Sequence, residues 1–177
     1  MKAVMISIQP QWCKLITSGD KTVEVRKTKP KIETPFKCYI YQTKTGKVGT
    51  GLFIADREIM GRSVKNGKVI GEFVCDRIRD FKVLADVRIE DYYSADLQYS
   101  QLNTSEITEY IGIGRIGYGW HISNLVIYDK PKELSDFRYT EETVWKRVSG
   151  KTWIDKSDMD TRVKKPPQSW CYVEDLG

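Results

Sequence analysis

Hydrophobic and polar positions alternate or recur with enough order to divide the chain into short elements. Ala3 to Ile8 is almost continuously apolar and predicts a strand over 3–8. Pro10 suits a first helical turn, and Trp12, Leu15 and Ile16 share one face at i, i+3 and i+4, so a helix over 10–18 is expected. Trp12 is read as packing on that face, and Gly19 suits a left-handed stop. The next residues alternate: Val23 and Val25 point one way, toward a core, and Thr22, Glu24 and Arg26 the other, as a charged row on an open face. After Pro35, Phe36 to Tyr41 alternates as a strand.

Further along, glycines 46, 49 and 51 mark a flexible connection, and Gly61 to Gly67 reads as an exposed turn region. Lys68 to Ile78 is the longest strand candidate, with Gly71 placed for a bulge or bend. Thr104 or Ser105 can cap a short helix over 106–111 that stops at Gly112. Gly114, Gly117 and Gly119 predict a mobile connection until Trp120, where a strand resumes through Tyr128 and ends at Pro131. A helix is expected over Glu141–Val148, then a charged linker from Gly150 to Lys165, then a closing strand after Pro166-Pro167. Strands outnumber helices and nothing alternates as β-α-β. The fold class is therefore α+β, mostly β: a small mixed or antiparallel barrel with short flanking helices. Gly112, Gly114 and Gly117 spell G-x-G-x-x-G, but after a helix rather than a strand, the wrong context for a dinucleotide site.

Bulk properties narrow the classes. A chain of 177 residues fits one domain, 1–177. No apolar run approaches the roughly 18 residues that span a bilayer, so no membrane partner is expected. The Val4–Ile8 run is too short for a secretory segment and Pro10 cuts it off, which makes a cytoplasmic location the expectation. The four cysteines, at 13, 38, 75 and 171, contain no close-spaced pair, and His121 is the single histidine. Neither a metal site nor a cofactor is implied; buried free thiols and a structural His121 are. The net charge of +5 is unevenly spread. Residues 1–51 hold ten Lys/Arg against three Asp/Glu, whereas residues 86–112 hold one Arg against six Asp/Glu. A basic face of that kind suits a polyanion. Lys27, Lys29 and Lys31 belong to it, in a loop that Pro30 interrupts.

The stretch Gly19-Asp20-Lys21-Thr22-Val23-Glu24-Val25-Arg26 carries the candidate chemistry. Lys21 offers a mobile point charge for a phosphate oxygen, and Arg26 a planar fork for a phosphate or a guanine edge. Glu24 can accept from an exocyclic amine, hold Arg26, or form an ordinary surface pair worth about 0–1 kcal/mol. Trp120, Trp170 and Tyr172 are candidate stacking residues, although Trp170 and Tyr172 share a strand face opposite Cys171 and Val173, and one of those pairs must be core. Gln168 and Ser169 could hydrogen-bond a base or phosphate.

The order of strand, Gln9-Pro10-Gln11-Trp12 helix and G-x-K-x-x-E-x-R, together with the Pro166–Val173 ending, resembles the ASCH domain family, bacterial or phage-type members of the PUA-like superfamily. The resemblance weakens near 44–65, 86–118 and 130–165, which are read as insertions. It implies a PUA-like barrel and binding of RNA or a nucleotide, with DNA as a lesser possibility, through Lys21, Glu24, Arg26 and Lys27. It also implies an alternative, a hydrolase of the acetylcytidine amidohydrolase kind or a ribonuclease, with Lys21 and Glu24 catalytic. In such amidohydrolases a threonine nucleophile stands where this chain has Glu24, and a distal glutamate completes the site, with Glu106 or Glu109 as the nearest candidates. A protein-interaction adaptor, using the acidic tyrosine-rich stretch, is a third class. The oligomeric state is left open.

Overall fold

The computed structural model describes residues 1–44, 57–59, 62–64, 66–84, 96–148 and 160–177. The Gly46–Gly51 connection, the acidic run from Asp91 to Ser94 and the linker from 150 to 159 lie outside the described residues. The chain forms two compact units, each assembled from separated stretches. Unit 1 comprises Met1–Pro10, Lys37–Glu72 and Val126–Gly177; unit 2 comprises Gln11–Phe36 and Phe73–Leu125.

The architecture is α+β and mostly β. In chain order the strands are β1 (Lys2–Ile8), β2 (Val23–Arg26), β3 (Phe36–Gln42), β4 (Arg57–Ile59), β5 (Arg62–Val64), β6 (Lys68–Cys75), β7 (Ile78–Lys82), β8 (Ile116–His121), β9 (Ser123–Lys132) and β10 (Trp170–Glu174). The α-helices are α1 (Pro10–Thr17), α2 (Thr104–Ile111) and α3 (Glu141–Val148). A five-stranded sheet runs β10-β1-β3-β6-β9, a three-stranded sheet β2-β8-β7, and β4 pairs with β5. The larger sheet is mixed, because β1 is parallel to β3 and antiparallel to β10. Both larger sheets end on open strands, and closure into the expected barrel is not among the described pairings.

Strand β1 is an inner strand of its sheet, and Ala3 through Ile8 are all buried, which explains its nearly unbroken apolar run. In unit 1, Ala3 and Met5 pack with Tyr39, Tyr41, Phe137 and Val173. The ring of Phe137 meets Tyr39 edge-on at 4.8 Å between centroids. On β10, Val173 is buried in that core and Cys171 packs against it. The choice left open by the sequence therefore falls to Cys171 and Val173 as the core pair, with Trp170 and Tyr172 half-buried on the opposite face.

Several boundaries differ from expectation. The 68–78 segment is two strands, β6 and β7, broken at Asp76 and Arg77. The 61–67 turn region contains strand β5. The cap of α2 is Asn103, not Thr104 or Ser105: its side chain accepts from the Glu106 N–H at 2.9 Å, and the Glu106 carboxylate accepts from the Asn103 N–H at 2.8 Å. Gly117 and Gly119 are not a loop but lie inside β8. A Cβ on Gly117 would sit 2.4 Å from Phe81 Cζ, so glycine lets the Phe81 ring lie against the strand. Pro131 does not end β9, which runs to Lys132; β9 is an edge strand, where a missing N–H breaks no inner ladder.

Candidate functional site: a buried Lys–Glu–Arg cluster

Helix α1 ends in a left-handed Gly19 at φ +83°. The chain turns back so that the Lys21 N–H donates to the Leu15 carbonyl at 2.9 Å. Strand β2 then pairs with β8, matching Glu24 to Trp120 and Arg26 to Tyr118. The opposite flank of β2 is met by the 3-10 turn Leu97–Ser100, whose Tyr99 carbonyl accepts from the Thr22 N–H at 3.0 Å. Covered in this way, all four residues of β2 are buried. The charged row is not the open face that alternation suggested.

Lys21 is only 2% exposed, and Glu24 and Arg26 are 6% exposed each. The Lys21 ammonium donates to the Ser100 carbonyl at 2.5 Å, lies 3.3 Å from Glu24 Oε2 and stands 5.2 Å from the centre of the Trp12 ring. Arg26 approaches Glu24 Oε1 at 3.0 Å. Two cations thus share one carboxylate inside the protein, where an unbalanced charge is expensive. Burial lowers the Lys21 pKa from its ordinary 10.5, and Glu24 opposes that shift. The neighbouring Cys13 thiol is pushed up, chiefly by burial and then by Glu24. Trp12 is half-buried, whereas Cys13 and Ile16 of α1 are fully buried.

The cluster reaches the surface through Tyr110 of α2. Arg26 is hydrogen-bonded to the Tyr110 hydroxyl, and burial raises that phenol above its ordinary 10.0. The Tyr110 ring is 38% exposed and lies under the Lys27 ammonium, 5.1 Å from its centre. A matching pair follows, with Lys29 Nζ 5.3 Å from the centre of Tyr118. Lys27, Lys29 and Lys31 are all exposed and lie in a loop, as the Pro30 interruption predicted. Tyr110 and Tyr118 belong to the candidate surface, and sequence reasoning missed both. The first sat on a helix read only for its cap, and the second in a stretch mistaken for a connection.

Other expected members behave differently. Trp120 is fully buried and meets Phe36 edge-on at 5.9 Å, so it is a core residue and offers no open stacking face. Gln168, Ser169, Trp170 and Tyr172 belong to unit 1. Gln168 is exposed, and the Ser169 carbonyl accepts from the Ser7 N–H at 2.9 Å. Trp170 and Tyr172 stack edge-to-face with each other at 5.4 Å, and Lys2 Nζ stands 4.5 Å from the Tyr172 ring centre. Glu106 is committed to the cap of α2, and Glu109 is exposed. His121 ends β8 with Nδ1 2.6 Å from Asp76 Oδ1. None of the four cysteines is in a disulfide: Cys13, Cys38 and Cys75 are buried and Cys171 is half-buried. Among the described residues, no group of three or more His, Cys, Asp and Glu is placed to hold a metal, and no helix is long and apolar enough to cross a membrane.

Residues 6–130 match the ASCH domain, and the chain belongs to the ASCH domain family, a PUA-like class generally linked to RNA binding. The crystal structure of ASCH from Zymomonas mobilis is similar, with a TM-score of 0.57 and 19% identity, covering 97% of this chain and 87% of that one. A mutant form of the Zymomonas mobilis protein aligns at a TM-score of 0.58 and 18% identity, over 98% of this chain and 91% of that one. At such identity the likeness concerns the fold. No curated protein matches the chain.

Proposed function

We propose that unit 2 binds RNA or a nucleotide through the surface where Lys27 covers Tyr110 and Lys29 covers Tyr118. The exposed lysines contact phosphates, and the two tyrosines supply faces for bases, each stacked base contributing about 1–3 kcal/mol. Arg26, joined to this surface through Tyr110, holds a phosphate or a base edge, with Lys21 and Glu24 fixing its position. The observation that carries this reading is the shared carboxylate. Lys21 and Arg26 both lie against Glu24, and these two neighbouring cations favour an oxyanion arriving beside Arg26. Trp170 and Tyr172, half-buried with Lys2 over the latter ring, are a second candidate stacking pair, and Gln168 and Ser169 the polar groups beside it. In the same reading residues 1–177 make one PUA-like domain that works in the cytoplasm. DNA is a weaker partner of the same surface.

The test is a salt titration of binding to short single-stranded and duplex RNA. Phosphate contacts make log K fall with log salt by about 0.7 per contact on single strands. No detectable binding at low salt would remove the proposal.

One observation favours a second reading, hydrolysis of a modified nucleoside or of RNA. A lysine with a depressed pKa held 3.3 Å from a carboxylate is a pairing that active sites use. Glu24 would accept a proton from the attacking water, and Lys21 would stabilise the oxyanion that forms. Turnover of acetylcytidine or RNA by the wild-type protein, lost in a folded Glu24→Gln variant, would establish it. Absence of turnover on both substrates would leave binding alone.

A further inference from the structure

Unit 1 contains a cavity of about 500 Å³, within the size range of small-molecule sites. Its construction follows from the local chain path. Val163 is fully buried, and its N–H donates to the Phe137 carbonyl at 2.9 Å, while Tyr139 N–H donates to the Thr161 carbonyl at 2.7 Å. These bonds fix an extended segment and bring Arg162 and Lys164 to the cavity wall, with Lys44 also on that wall. The Lys44 stem is packed so closely over Gly67, at φ +88°, that a Cβ there would lie 2.8 Å from Lys44 Cγ.

Among the described residues the charge of this wall is unbalanced. Arg162 and Lys164 share one carboxylate, Asp160, with contacts of 3.0 Å from Arg162 Nε and 3.0 Å from Lys164 Nζ. The lining carboxylate Glu133 is paired with Lys68. Lys44 makes no ion pair with a described residue. Three lining cations therefore face one carboxylate that is already neutralised and one that two of them share. The rest of the lining includes Leu134, Val163 and Pro166, an apolar surface beside the charges.

Tyr41 adds a neutral donor to the same wall. It lines the cavity, is 1% exposed, and its hydroxyl makes no hydrogen bond among the described residues. Burial alone raises its phenol above the ordinary 10.0, so it stays a neutral donor at any physiological pH.

We propose that this cavity binds a small molecule that joins an oxyanion, phosphate or carboxylate, to a compact apolar body. The oxyanion lies against Arg162, Lys164 and Lys44 and accepts from the Tyr41 hydroxyl. The apolar body rests on Leu134, Val163 and Pro166. This site uses none of the residues assigned to RNA, so it stands or falls apart from that reading.

The experiment is isothermal titration of the full chain at low salt with phenyl phosphate, benzoate and phenol. Saturable binding of either anion, with none of phenol, is expected, and the tighter anion identifies the oxyanion. A double Arg162→Gln, Lys164→Gln variant, altered only at exposed positions, should weaken binding by at least about tenfold. Tyr41→Phe should weaken it by about three- to tenfold while the melting temperature holds. Lys27→Ala should leave it unchanged. Three results would overturn the proposal: no saturable heat with either anion, affinity untouched by the double variant, or affinity lost in Lys27→Ala.

Discussion

Lys21 and Arg26 share the carboxylate of Glu24, one on each oxygen, at 3.3 and 3.0 Å, with all three side chains more than nine-tenths buried. That relationship fixes how the cluster answers to substitution. Removing the carboxylate leaves two buried cations facing each other, which costs about 3–5 kcal/mol. Glu24→Gln should lower the unfolding free energy by that amount, read as a lower urea midpoint at an unchanged slope. A midpoint equal to wild type would mean that the pair carries no structural weight.

Lys21 also sets a pH signature. Its folded pKa is lowered from 10.5, so between the folded value and 10.5 the unfolded chain binds more protons. Stability attributable to Lys21 is complete above 10.5 and is lost as pH falls through the folded pKa. Buried Cys13 and Cys75, whose thiols are raised from 9.0, act in the opposite sense once the pH exceeds that value. The clean readout is the difference between wild type and Lys21→Met in urea denaturation from pH 7 to 11. Wild type should gain on the variant as pH rises, and a flat difference would contradict the lowered pKa.

Gly117 gives a packing test. Alanine there would set its Cβ 2.4 Å from Phe81 Cζ, and overpacking of this kind costs about 1–3 kcal/mol. Gly117→Ala should be destabilised by that much in thermal or urea unfolding, and adding Phe81→Leu should recover part of the loss. Additive losses in the double variant would show that the contact is not the cause.

The same glycine explains what could and could not be read from the sequence. Elements marked by periodicity and by a helix stop were legible: β1, α1, β3 and α3 appear within a residue or two of expectation. Gly117 and Gly119 were misread because a glycine in a strand and a glycine in a loop look alike until the neighbour, Phe81, is known. Gly71, by contrast, was read within a strand and lies in β6, where a Cβ would meet the Val126 carbonyl oxygen at 2.4 Å. The G-x-K-x-x-E-x-R residues were legible as a group, but their burial was not. Alternation alone assigns one side of β2 to water, and the turn at Leu97–Ser100 that covers it lies some seventy residues away in the chain. Tyr110 was hidden for the same reason: its contact with Arg26 is made across two elements that nothing local connects.

The exposed rim has its own prediction. Lys27 and Lys29 hold their charges over Tyr110 and Tyr118, where they meet phosphates. The Lys27→Ala, Lys29→Ala double variant should bind single-stranded RNA more weakly and reduce the slope of log K against log salt by about 1.4, two contacts' worth. An unchanged slope would place the phosphate contacts elsewhere.

The most direct measurement is the affinity of Lys21→Met for a short single-stranded RNA, read beside its thermal melt. Exchanging a buried ammonium for an apolar side chain of similar length leaves stability equal or raised, because the Glu24–Arg26 pair stays intact. A melting temperature at or above wild type with RNA affinity reduced at least about tenfold is the expected result. A folded variant that binds RNA as tightly as wild type would contradict the claim that this cluster serves the nucleic acid.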